Sequence, residues 1–182
     1  MNTVYNTILK IRDKVNKLNL YKKRFKNSSK DWNILCSAMD TVEDTCEACL
    51  EFEKKGLGKN NGEKYLRLYG LLQAIYVQQD SIEGLYRIFV KKQLDVRNYQ
   101  NWRIIRNLRN MTVGHPVCYD YGKESIFLSR VTISNKGFQL LVNKNTSPTN
   151  STDFINVNLL GYYKNYIKEA INILNDILIR VN

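Results

Sequence analysis

The chain has 182 residues, 43% of them hydrophobic, and 28 lysines and arginines against 17 aspartates and glutamates give it a formal net charge of +11. Such a composition is typical of a globular protein with one substantial core, so we expect a single domain over residues 1–182. The sequence starts without an apolar signal core, and no stretch approaches the length of a membrane span, which predicts a cytoplasmic protein with no membrane contact. The positive charge favours a polyanionic partner.

Hydrophobic residues at helical spacing predict four helices in the first part of the chain. The first covers about two dozen residues and ends at the breaker cluster 26–29, and the second runs from about Asp31 to Lys55. A glycine-rich loop at 56–62 follows, but it is not a phosphate loop, because it lacks a preceding strand and the Gly-Lys-Ser/Thr ending. The third helix runs from about Glu63 to Val90, and the fourth from about Tyr99 to Val113.

The four cysteines raise the question of a metal site. Cys46 and Cys49 have the spacing of half a zinc knuckle, but no second pair exists, and Cys36 and Cys118 are scattered. The pair instead continues an apolar helical stripe that begins at Leu35. We therefore interpret the cysteines as buried core residues and predict neither a metal nor a cofactor.

The periodicity changes after the fourth helix. Alternating residues predict strands at about 125–133 and 138–142, joined by a turn in which Gly137 is suited to positive φ. This predicted β-hairpin, about residues 125–142, occupies an insertion at about 117–150.

A polar loop and a last amphipathic helix complete the chain. The apolar stripe of this helix predicts a start at about Asp153 or Asn156. The expected fold class is therefore all-α, a bundle of about five helices with one inserted β-hairpin.

The only histidine, His115, directly follows an arginine-rich helical face. Arg103, Arg106 and Arg109 step by three residues along the fourth helix, so they lie on one arc of roughly 120°. Imidazole gives and takes a proton near neutral pH, and guanidinium is the best side-chain partner for a phosphate. Together they indicate chemistry on a phosphodiester.

Arg109 and His115 can meet only if the helix ends between them, since a continuous helix would place them roughly 240° apart. Gly114 is suited to a left-handed C-terminal residue, and Pro116 pushes His115 toward an extended conformation. We therefore expect Arg109, Asn110 and His115 to lie in one cleft. The other interpretation is a helix-terminal histidine bonded to a carbonyl, with Arg109 solvated.

The apolar stripe of the third helix is interrupted by three polar residues, Gln78, Gln79 and Asp80. Asp80 is a candidate accessory residue, because a polar group that faces the fourth helix could orient Arg109. The alternative is a solvated helix edge on which Glu83 and Arg87 form an i,i+4 ion pair.

The segment Arg109-Asn110-x4-His115 at a helix end resembles the Arg-x4-6-His signature of the HEPN superfamily, the higher eukaryote and prokaryote nucleotide-binding domains. The resemblance covers the helical part, residues 1–113 and about 153–182. Members are commonly metal-independent endoribonucleases of toxin–antitoxin and defence systems. By resemblance, His115 is the general acid or base for attack by the ribose 2′-hydroxyl, and Arg109 stabilises charge on the phosphoryl oxygens.

The resemblance also implies further roles and partners. Asn110 would position the phosphate or the imidazole, and Arg103 and Arg106 would contact the flanking RNA backbone. A homodimer with a composite cleft would receive the RNA, and an antitoxin or a nucleotidyltransferase would be a partner protein. The alternative function is a non-catalytic helical module that binds nucleotides, RNA or a partner such as a nucleotidyltransferase through the same basic face.

Overall fold

Helices make up most of the computed structural model, which describes residues 1–146 and 151–181. The five α-helices are α1 Asn2–Lys17, α2 Ser29–Lys55, α3 Asn61–Val90, α4 Gln100–Arg109 and α5 Leu159–Arg180. The three strands are β1 Glu124–Leu128, β2 Phe138–Lys144 and β3 Thr152–Val157. This arrangement confirms the predicted mostly helical bundle with an inserted hairpin-like sheet. None of the helices in the described ranges has the length and apolar character needed to cross a membrane.

The long α2–α3 hairpin is the centre of the bundle, and α1, α4 and α5 pack around it. Cys46 and Cys49 are buried in the core, as the apolar stripe predicted, but Cys36 is half-buried and Cys118 is exposed, so the prediction of buried cysteines is wrong for these two. Within the described ranges, no group of three or more His, Cys, Asp and Glu side chains is placed to hold a metal ion. The burial of Cys46 and Cys49 on one face of α2 accounts for their Cys-x-x-Cys spacing.

Two of the three polar residues that interrupt the stripe of α3 are buried. The alternative of a solvated helix edge is therefore wrong for Gln78 and Gln79, both of which are 0% exposed, whereas Asp80 is exposed. Gln78 Nε2 donates a hydrogen bond to Thr45 Oγ1 at 2.9 Å, and the Tyr166 hydroxyl donates one to Gln78 Oε1 at 2.8 Å. Gln79 Nε2 donates to the carbonyl of Trp102 at 2.9 Å. Because buried amides need partners, these bonds fix the rotation of α3 against its neighbours.

The first helix is shorter than the predicted two dozen residues. It ends at Lys17, and Asn19 then adopts a left-handed φ of 50°. Asparagine tolerates this conformation better than most residues, so the chain turns there and forms a separate π turn at Tyr21–Phe25. The breaker cluster at 26–29 thus follows a second short helical segment.

The sheet has a third strand in addition to the predicted hairpin, and its order is β1-β2-β3 with both pairs antiparallel. The predicted helix start at Asp153 or Asn156 is wrong, because both residues belong to β3. The last helix instead begins at Leu159, where Asn158 Oδ1 accepts a hydrogen bond from the Gly161 N–H at 3.0 Å. Residues 147–150 of the predicted polar loop lie outside the described residues.

The β1–β2 connection also differs from the predicted simple turn. The first strand ends at Leu128, and a 3₁₀ turn at Arg130–Thr132 follows. Gly137 does not have positive φ, and its role is steric: a Cβ added there would lie 1.9 Å from the carbonyl oxygen of Val157. Glycine thus permits two backbones to touch at the junction between the sheet and α5.

One face of the sheet completes the hydrophobic core. Its side chains alternate with those of the outer face, as the pleat requires. The residues buried on this inner face are Ile126, Phe138, Leu140, Val142 and Val157. The sheet is therefore packed on the bundle through apolar contact.

Candidate functional site

The motif helix α4 continues into a π turn at Asn110–Gly114, in which the His115 N–H donates to the Asn110 carbonyl at 2.9 Å. Such turns often occur at functional sites. His115 then leaves the helical region with φ −137° and ψ 53°, because the following Pro116 disfavours helical backbone. The helix therefore ends directly before His115, as predicted.

Gly114 contributes to this site in another way than predicted, since its φ is not left-handed. A Cβ added to Gly114 would lie 3.0 Å from Arg109 Nη1 and 3.7 Å from Asn110 Oδ1. The Arg109 guanidinium therefore packs against the backbone of the residue that precedes His115. The missing side chain leaves the space that this packing needs.

Polar groups hold the Arg109 guanidinium without neutralising it. Its Nε donates to Gln73 Oε1 at 3.0 Å and its Nη1 to Asn110 Oδ1 at 3.2 Å, and its Cζ lies 4.3 Å from the centre of the Tyr76 ring. In the described part of the chain, no carboxylate oxygen lies within 4.0 Å of it. Because these two bonds use only some of its N–H groups, the rest remain available to an anion.

Arg106, one helical turn before Arg109, lies beside two carboxylates. Its Nη2 lies 2.5 Å from Asp80 Oδ1 and its Nη1 lies 3.6 Å from Glu83 Oε1. Burial alone would lower the pKa of Arg106, but the hydrogen bond to Asp80 and the charges of Asp80 and Glu83 raise it above its ordinary value. Two carboxylates thus compensate its charge, which argues against the predicted contact with a phosphate.

The same contacts correct the prediction for the accessory residue. Asp80 pairs with Arg106 and does not orient Arg109, for which Gln73 provides the bond from α3. Glu83 also faces Arg106, and not Arg87 as the alternative had it.

Sequence reasoning missed Gln73 and Tyr76, although a signal for both exists. They precede Asp80 by seven and four residues, so the three side chains lie on one face of α3. The Tyr76 ring lies 4.5 Å from the Arg106 Cζ as well as 4.3 Å from that of Arg109. Its π-face therefore attracts both guanidinium groups.

A carboxylate from α5 anchors the N-terminus of the motif helix. Glu169 Oε1 accepts from the Asn101 N–H at 3.0 Å, and Glu169 Oε2 accepts from the Trp102 N–H at 2.7 Å. These are N–H groups that have no partner within a helix, and the negative charge also complements the helix dipole. Glu169 thereby fixes where α4 begins.

The sheet fixes the chain on the other side of His115. The Ile126 N–H of β1 donates to the Pro116 carbonyl at 2.7 Å. Farther on, the Tyr119 hydroxyl bonds to the side-chain oxygen of Asn107 on α4. His115 is thus held between a helix end and a strand edge.

Two predicted site residues point to solvent. Over residues 1–146 and 151–181, the imidazole of His115 is exposed and has no hydrogen-bond partner. Arg103 is exposed, and no carboxylate pairs with it in the same ranges. His115 therefore lacks the carbonyl bond that the alternative interpretation required.

The structure brings an uncompensated guanidinium and an asparagine amide to a helix end that presents an exposed imidazole. A guanidinium can hold the oxygens of a phosphate, and an imidazole can exchange a proton with a neighbouring hydroxyl. Comparisons of the chain with protein-family models, with curated proteins and with solved structures find no match.

Proposed function

We propose that the chain is a metal-independent endoribonuclease of the HEPN type. His115 takes the proton of a ribose 2′-hydroxyl, whose oxygen attacks the adjacent phosphorus. The bond to the 5′-oxygen breaks and water gives this oxygen a proton, while His115 passes its proton back to the solvent, so the products are a 2′,3′-cyclic phosphate and a 5′-hydroxyl. Arg109 stabilises the negative charge that builds on the phosphoryl oxygens.

The setting of Arg109 is the observation that carries the proposal. Of the two inner-facing arginines of α4, only Arg106 is paired with carboxylates, whereas Arg109 has neutral partners and lies against Gly114. A site that must attract a phosphate needs a positioned but uncompensated cation. Asn110 positions this cation, and the Arg106–Asp80 pair supports Tyr76 beneath it.

The proposal extends to partners and setting. The RNA strand contacts Arg103 on the exposed face of α4, and two copies of the chain meet as a homodimer with a composite cleft. We assign the protein to the cytoplasm as a toxin or defence effector, with an antitoxin or a nucleotidyltransferase as the partner protein. Growth arrest on expression of the wild type, but not of His115→Ala, is the expected cellular result.

Cleavage of labelled single-stranded and structured RNAs in excess chelator tests the activity. The wild type is expected to cut, and His115→Ala and Arg109→Ala are expected to lose cleavage but keep binding. Arg109→Lys keeps the charge but lacks the planar fork of N–H groups that reaches Gln73 and Asn110 at once, so its cleavage falls as well. Arg87→Ala, which removes an exposed arginine of α3, is the matched control and retains activity.

The chemistry of the cut supplies a second readout. A 2′-deoxy substitution at the scissile nucleotide removes the nucleophile and is expected to abolish cleavage there. Absence of cleavage by a verified dimeric wild type across diverse RNAs would overturn the nuclease proposal.

One observation favours the alternative, a non-catalytic module that binds nucleotides, RNA or a protein partner. Within the described ranges no side chain orients the His115 imidazole, whereas catalytic bases are usually oriented by a further group. If the chain is such a non-catalytic module, Arg109→Ala weakens RNA binding, whereas His115→Ala leaves binding unchanged and the wild type shows no cleavage.

A further inference from the structure

The outer face of the sheet carries a row of apolar side chains, one from each strand, in which two exposed phenylalanines flank a half-buried leucine. Phe127 of β1 lies opposite Leu141 of β2, which in turn lies opposite Phe154 of β3. Phe127 is 55% exposed and Phe154 is 62% exposed. We call these three residues the aromatic row.

Hydrogen-bonding side chains surround the aromatic row on the same face. Gln139 Nε2 donates to Asn156 Oδ1 at 3.1 Å on one side, and Thr152 Oγ1 donates to Asn143 Oδ1 at 2.7 Å on the other. Amides and hydroxyls of this kind bond the edges of bases, and an exposed ring provides a face on which a base can stack.

Strand β1 links the aromatic row to the candidate site. Phe127 directly follows Ile126, whose N–H bonds the Pro116 carbonyl next to His115. The strand that carries Phe127 also packs against the π turn of the motif helix. The strand that carries Phe127 is therefore the one that contacts the end of the motif helix.

We propose that the aromatic row binds single-stranded RNA by stacking unpaired bases on Phe127 and Phe154. The choice of RNA as ligand rests on the proposed nuclease function. Duplex RNA offers no free base faces for such stacking, so the aromatic row selects unpaired substrate and places a neighbouring phosphodiester at the motif.

The small size of this face and the positive charge of the chain favour RNA over a protein partner. Three apolar side chains cover far less than the roughly 800 Å² per partner that a stable protein interface buries. The chain carries a net charge of +11. In the β1–β2 connection Arg130 and Lys136 are exposed, and neither has a carboxylate partner within the described ranges. Both cations can attract the backbone of the bound strand.

Binding of a fluorescent single-stranded oligoribonucleotide, measured by anisotropy in the non-cleaving His115→Ala background, tests the inference. Phe127→Leu and Phe154→Leu keep an apolar side chain but remove the ring, and each is expected to weaken binding about tenfold. Phe127→Trp and Phe154→Trp are expected to retain or strengthen it. Tyr21→Leu removes a ring that is 46% exposed outside the sheet and should change nothing.

Unchanged affinity in both leucine variants would overturn the inference. It would also be overturned if these variants lost affinity for a hairpin duplex as much as for the single strand. A Phe127→Ser/Phe154→Ser variant whose oligomer dissociates while RNA affinity stays constant would show a protein-docking face instead. The two proposals can fail separately. If binding depends on the phenylalanines but the wild type does not cleave RNA, only the nuclease proposal is wrong. If the wild type cleaves RNA but binding does not depend on the phenylalanines, only the proposed role of the aromatic row is wrong.

Discussion

Arg106 and Arg109 lie three residues apart on one helix, yet residues of α3 give them different properties. Asp80 and Glu83 compensate the charge of Arg106, whereas Gln73 bonds Arg109 through a neutral amide. The identity of an arginine therefore does not decide whether it can bind an anion. The side chains on the neighbouring helix decide it.

Substitution of Gly114 tests whether Arg109 needs the space above the last turn. In Gly114→Ala the new Cβ would lie 3.0 Å from Arg109 Nη1, so the guanidinium must move by a few tenths of an ångström. We expect cleavage to fall about tenfold, because small displacements of a catalytic group are costly, while the unfolding free energy changes by less than about 1 kcal/mol. RNA cleavage and urea unfolding measure the two quantities.

Gly70→Ala is the control for this experiment. Gly70 lies in α3, and an added Cβ there meets nothing within 4 Å. The Gly70→Ala variant should keep full activity. An equal loss of activity in Gly70→Ala and Gly114→Ala would contradict the proposed role of Gly114.

The buried thiol of Cys46 predicts how stability depends on alkaline pH. Burial raises its pKa from 9.0 to about 12. The unfolded chain then releases this proton at a lower pH than the folded chain, so the stability present below pH 9 is lost as the pH rises from about 9 to about 12. Urea unfolding across this range should show a smaller pH slope in Cys46→Ala, by about one proton. Cys118→Ala, at an exposed thiol, should keep the wild-type slope.

At the scale of the elements, the start of α4 depends on a contact with α5 that the local sequence does not predict. Glu169→Gln removes the charge at the start of α4 and replaces one acceptor by a donor facing a backbone N–H. We expect a loss of about 1–2 kcal/mol of unfolding free energy and faster amide exchange at Asn101 and Trp102. Asp176→Asn changes a half-exposed carboxylate on the same helix, which pairs with Arg180, and should cost less than about 0.5 kcal/mol. Equal costs for the two variants would contradict the anchoring role.

The sequence predicts the long helices well, because each carries a sustained apolar stripe. The prediction fails at β3, because apolar spacing indicates a helix that starts at Asp153 or Asn156, whereas both residues belong to this strand. Five of the six residues of this edge strand are exposed, so burial imposes no alternation on them. Its pairing with β2 comes from backbone hydrogen bonds to a segment that a local window does not include.

The candidate site was predictable to a similar degree. Arg109, Asn110 and His115 follow from a local motif, and the end of the helix follows from Pro116. The partners Gln73 and Tyr76 depend on how α3 is rotated, which the buried bonds of Gln78 and Gln79 determine. Contacts of this kind between distant helices cannot be predicted from the local pattern of a single sequence.

At the scale of the whole molecule, the proposed composite cleft predicts a homodimer. Light scattering after size exclusion should give twice the mass of the chain. Mixed preparations of Arg109→Ala and His115→Ala chains should regain part of the cleavage activity, because a shared cleft then contains one intact copy of each residue. A monomeric wild type that cleaves RNA, or mixtures that stay inactive, would contradict the shared cleft.

The bond between Glu169 and the start of α4 has a mechanical consequence. α5 holds the motif helix at its first residues, and the chain that leaves the motif passes through β1, β2 and β3 before it re-enters α5 at Leu159. The motif helix is therefore held at its start by α5, and the residues after His115 are held by β1, whose sheet leads back into α5. A displacement of α5 would therefore break the bonds that hold the first turn of α4, about two turns before Arg109.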